Sequence, residues 1–157
     1  MEKYEEMRET ARKKIGIADH ILTMTYPLVK DPRLLLAVLE NIFLALTNSI
    51  GSLLYYERSH KSVPPFQDTF DSKFNVFKQR CVGEHNIDHE IVLMIKEIKD
   101  IIVQHKKSPV EFERNGSLII CSDNYQMKEI SLEKIKDYIT RSRSFIKGIN
   151  SLMKNTP

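Results

Sequence analysis

Between Leu34 and Tyr56 the chain carries a single charged residue, Glu40, and apolar side chains fall on nearly every face of the helix this stretch would form. A helix that is apolar all round is either buried in a protein core or placed in a lipid bilayer. Asp31-Pro32 supplies its start, with aspartate as the N-cap and proline at the first helical position. The helix, about Pro32 to Ser59, is just long enough to span a membrane. However, Glu40, Asn41, Thr47, Asn48 and Ser49 interrupt it, and Asp31, Arg33 and Arg58 flank both ends. The pattern predicts the central helix of a bundle, with no membrane role. Its apolar surplus also predicts a homodimer through this second helix. Glu40, Asn41 and Asn48 are expected to be buried, so they would need hydrogen-bond partners.

Four amphipathic segments surround it. From Glu2 to about Val29 the residues Tyr4, Met7, Ala11, Ile15, Ala18, Leu22 and Thr25 recur every three or four positions. Pro27 disfavours helical geometry at Tyr26, so this first helix is expected to end or kink there. Ser62-Val63-Pro64-Pro65 is a break, after which Phe66, Phe70, Phe74, Phe77 and Cys81 form a narrow stripe on a third helix, which Gly83 should stop. Asp88 can cap a fourth, whose stripe is Ile91, Met94, Ile95, Ile98, Ile101 and Ile102 and which runs to about His105. The period then changes to two at Val110–Arg114. Asn115-Gly116 is a hairpin signal, Ser117–Cys121 is β-branched and apolar, and Asp123-Asn124 offers a second turn. Ser131 caps a last helix with the stripe Ile135, Tyr138, Ile139, Ser142, Phe145, Ile146, Ile149 and Leu152.

The fold class is therefore mainly α: an up-and-down bundle of about five helices, with a small hairpin or three-stranded meander set in at about 110–130. At 157 residues, 41% of them hydrophobic and 29% charged, the chain (1–157) reads as one domain. The formal net charge of +3 excludes a dense polycation that merely coats nucleic acid. Two cysteines, Cys81 and Cys121, and the lack of a signal-peptide pattern point to a reducing, cytoplasmic setting.

Little catalytic chemistry is signalled. Cys81, His85 and His89 are spaced by four, as helical zinc ligands would be, but Gly83 and the cap at Asp88 should break that helix between them. No metal site is expected, and no cofactor. Five glycines, none in a phosphate-cradling pattern, exclude the usual nucleotide loops. Neither cysteine nor any serine sits in a nucleophile motif. From Ser131 onward, Lys134, Lys136, Arg141, Arg143, Lys147 and Lys154 face only Glu133 and Asp137. A basic last helix of this kind could contact phosphates, with Lys134, Arg141, Arg143 and Lys147 as the candidate nucleic-acid contacts. It could equally be a solvated face.

The run from Ile95 to His105 resembles the motif of HEPN (higher eukaryotes and prokaryotes nucleotide-binding) domains, an all-α family of four- or five-helix bundles. Ribonuclease members carry an arginine, commonly a polar residue after it, and a histidine four to six residues on. Lys99 would stand for the arginine, Asp100 for the polar residue and His105 for the histidine. A literal match, second in rank because of its helix-end position, is Arg80-Cys-Val-Gly-Glu-His85. The resemblance implies RNA as ligand, a homodimer with a composite site, and metal-independent chemistry at histidine if cleavage occurs.

The departure at Lys99 bears on activity, because an ammonium lacks the planar fork that arginine presents to phosphate. Residues six apart on a straight helix also point about 120° away from one another. Lys99 and His105 could therefore converge only if the helix ended between them or a second copy completed the site. The expectation is an RNA-binding or toxin–antitoxin-type module with a degenerate ribonuclease motif. The alternative is a structural or protein-interaction bundle with no nucleic-acid role.

Overall fold

The computed structural model describes residues 2–60, 63–107, 110–114, 116–121 and 127–154. Five helices and one small sheet account for most of them, so the mainly α architecture stands as the sequence predicts. Helix α1 covers residues 3–29: Lys3–His20, a π-helical turn Ile21–Thr25, and Tyr26–Val29. Helix α2 is Pro32–Ser59. Helix α3 covers residues 70–84: Phe70–Val76, a second π-helical turn Phe77–Cys81, and Val82–Glu84. Helix α4 is His89–Lys107 and α5 is Leu132–Lys154. Between α4 and α5 lie β1 (Val110–Arg114), β2 (Ser117–Cys121) and β3 (Met127–Ser131), antiparallel neighbours in the order β1-β2-β3.

Helix α2 is the centre, in contact with all four other helices. Asp31 caps it, accepting from the Arg33 amide at 2.9 Å. Its side chains Leu35, Leu39, Ile42, Leu46, Ile50, Leu53 and Leu54 are almost wholly buried. Removing any of these to alanine costs on the order of 2–5 kcal/mol. Gly51 is where α1 comes closest: a Cβ there would lie 2.3 Å from the tip of Met7. Ser52 donates to the Tyr4 carbonyl at 3.0 Å, so small residues on α2 allow this approach.

Four local expectations change. Of the two outcomes expected at Tyr26, an end or a kink, helix α1 does not end there but is distorted just before it. Its Pro27 ring would clash with the carbonyl four residues back, and the π turn just upstream, closed by Tyr26 N–H to the Ile21 carbonyl, takes up the mismatch. The helix stops instead where Lys30 turns left-handed, at φ 55°. Helix α3 starts at Phe70 rather than Phe66, because Thr69 accepts from the Ser72 amide at 3.2 Å and caps it there. Gly83 does not stop α3, which runs on to Glu84; the reversal is at Asn86, φ 53°. Finally, the polar residues of α2 are not buried groove supports. Glu40 is exposed, while Asn41 and Asn48 donate to the carbonyls of Ala37 and Leu44, each at 2.8 Å and one turn back on the same helix.

The meander matches its turn chemistry. Arg114 pairs with Ser117, and Gly116 takes φ +77°, which glycine adopts without strain. Asp123-Asn124, the expected second turn, lies outside the described residues. Leu118 and Ile120 of β2 join the helical core. Ser131 ends β3 and caps α5, accepting from the Lys134 amide at 3.0 Å.

Candidate functional site

Glu57 stands on the buried stripe of α2, three and four residues after Leu54 and Leu53, and is itself only 6% exposed. A carboxylate in such a place must be hydrogen-bonded. Helix α3 supplies the partners. The π turn ends on Cys81, whose thiol donates to Glu57 Oε2 at 3.4 Å. One turn later, His85 Nε2 makes a direct hydrogen bond with Glu57 Oε1. Burial pushes the Cys81 thiol well above its ordinary range, and the adjacent Glu57 charge pushes it further. It is therefore a neutral donor and not a nucleophile.

His85 also faces a groove of about 420 Å³. One wall is the α3–α4 connection, His85 to Asp88 with Ile91; the other is α5, where Arg141, Phe145 and Gly148 line it. Asp88 is occupied as a cap, accepting from the Glu90 amide at 3.0 Å. Arg141 donates to the Glu90 carbonyl at 3.1 Å and lies 3.7 Å from Asp137, which holds the guanidinium at the rim. The groove thus holds, in one lining, an imidazole backed by a buried carboxylate, a guanidinium and the apolar side chains of Ile91 and Phe145.

The first-ranked sequence candidates sit elsewhere. Helix α4 is continuous through Lys99, Asp100 and His105, so within one chain Lys99 and His105 diverge by about 120°. Lys99 pairs with Asp71 of α3 at 2.6 Å and lies over the Phe70 ring, 4.6 Å from its centroid. Asp100 is exposed and His105 half-buried. Of the second pair, His85 is in the groove while Arg80 is exposed and does not line it. Arg141, on another helix, is the arginine that lines the groove with the histidine.

The basic residues of α5 do not form one stripe. Lys134 and Arg141 lie toward α4, where Lys134 is 4.0 Å from Glu97. Arg143 reaches Asp19 of α1 at 3.2 Å, and exposed Lys147 lies with it on that side. The aromatic stripe of α3 is core: Phe74 and Phe77 are buried, and Phe77 meets Phe145 edge-on at 6.0 Å.

Glu57 is the residue that sequence reasoning missed. Its spacing from Ile50, Leu53 and Leu54 puts it on the buried face of α2, which was the available signal. No family model, no curated protein and no solved structure matches this chain.

Proposed function

We propose that the protein is an RNA-binding module of HEPN-like architecture that receives a single-stranded phosphodiester backbone in the groove between His85 and Arg141. The observation behind this reading is that both side chains line one groove of about 420 Å³. Arginine offers a fork to phosphate, and the imidazole supplies a second donor or positive charge. The apolar walls from Ile91 and Phe145 give an unstacked base a surface to lie on. On this reading His85 of the second-ranked pair would act with Arg141 of α5, since Arg80 does not line the groove. With Lys99 held by Asp71 and Arg80 turned outward, efficient cleavage is not expected.

The test is fluorescence anisotropy with a labelled single-stranded oligoribonucleotide. Arg141→Ala should weaken binding roughly tenfold, the ~1.4 kcal/mol of one charge-assisted contact. Arg141→Lys should recover only part of it, because the fork is lost. No binding by the parent protein at micromolar concentration would sink the proposal.

One observation favours the interaction-module reading instead. At the end of α1, Met24 and Val29 are largely exposed and Leu28 is 87% exposed, an apolar tip that another protein surface could cover. Within α2, by contrast, Leu44 is the one large apolar side chain among the described residues that reaches the surface. A homodimer would therefore use the α1 tip more readily than α2. Light scattering of the parent and of Leu28→Lys distinguishes the two faces.

A further inference from the structure

Three metal-ligating side chains converge beside the groove. One carboxylate oxygen each of Glu57 and Glu84 and one imidazole nitrogen of His85 all lie within 4.8 Å of one another, the only such set among the described residues. They are brought together by two features that sequence spacing misjudged. Helix α3 continues through Gly83, so Glu84 and His85 leave its last turn side by side. Glu57 meets them from the buried face of α2.

The set is poorly balanced as a simple ion pair. A protonated His85 neutralises one carboxylate, and a second still faces the same imidazole from close range. A neutral His85 leaves two negative charges. Two carboxylates this close, one of them nearly free of solvent, offer a shared cation two oxygen ligands beside the imidazole. The donor set, one imidazole and two carboxylates, is of the kind that binds first-row divalent ions with an open coordination position.

We propose that Glu57, Glu84 and His85 bind a divalent first-row transition ion, with zinc as the reference ion, and that its open position faces the groove. The ion would replace the direct His85–Glu57 hydrogen bond with two metal–ligand bonds. Ligand bonds of about 2.0–2.2 Å put tetrahedral ligand atoms about 3.4 Å apart, so Glu84 must move inward while the hydrogen-bonded Glu57–His85 pair opens. Glu84 is exposed and on the final turn of α3, so its side chain can make most of that movement. Cys81 keeps its role outside the set, orienting Glu57 through the thiol hydrogen bond. The assignment stands independently of the RNA reading: the ion needs these three residues, and RNA needs the groove and Arg141.

The test is a titration of the full chain with zinc chloride, without RNA, followed by calorimetry. Cobalt chloride in parallel reports the site by visible absorption. The parent should bind one ion per chain. Glu84→Gln, an exposed substitution that leaves the core untouched, should weaken binding at least tenfold, and His85→Ala should do the same. Circular dichroism of both variants should match the parent. Absence of one-to-one binding in the parent, or equal zinc affinity in Glu84→Gln, overturns the proposal. Zinc binding with no RNA binding upholds this site and removes the RNA reading; the reverse removes the metal alone.

Discussion

Glu57 and His85 stand 28 positions apart, on different helices, and share a hydrogen bond between a carboxylate that is almost wholly buried and an imidazole at a groove wall. Burying a carboxylate is costly, and that cost is recovered only through good partners. A double-mutant cycle of Glu57→Gln and His85→Ala should therefore show a coupling of at least about 1 kcal/mol in urea unfolding. A coupling near zero would mean that the two groups are independently solvated.

Alkaline stability follows from two protons that the fold retains. Burial, aided by the Glu57 charge and its hydrogen bond, raises the Cys81 thiol above its ordinary 9.0. Burial, and then donation to Glu97, raises the Tyr138 hydroxyl above its ordinary 10.0. Above those values the unfolded chain loses protons that the native chain keeps, so stability must fall as pH rises past about 9. Melting temperature measured from pH 8 to 11 should decline, and the decline should be shallower in Cys81→Ser and in Tyr138→Phe. An unchanged slope in both variants would contradict these environments.

Ser142 lies on the buried stripe of α5, fully enclosed, and its hydroxyl has no hydrogen-bond partner among the described residues. An enclosed, unsatisfied hydroxyl costs roughly 1–3 kcal/mol, and alanine is also the better helix former. Ser142→Ala should raise the melting temperature by a few degrees. A lower melting temperature would mean that the hydroxyl does hold a structural hydrogen bond.

The helices were legible because their apolar stripes repeat at 3.6 residues and their caps, Asp31, Asp88 and Ser131, stand where the side chains accept backbone N–H groups. The meander was legible through its period of two and through Gly116. The π turns left no such mark. They shift register by one residue inside an otherwise regular stripe: spacing put Cys81 on the buried stripe and ran α1 to about Val29, but it did not show the π turns themselves. The site was legible only in part. His85 and Arg141 were each visible as candidates, but their sharing of one groove depends on how α5 packs against the α3–α4 connection. Glu57 was hidden because a charged residue at the end of a long apolar run reads as the place where the helix meets solvent. Here the core continues around it.

The proposed RNA site is the groove lined by His85 and Arg141. The most direct measurement follows the imidazole proton resonances of the five histidines during titration with a single-stranded oligoribonucleotide. The resonances of His85 should shift progressively and saturate, while those of His105 stay in place, and Arg141→Ala should suppress the shift. Movement of His105 with His85 unchanged would put the ligand on α4 and contradict the account.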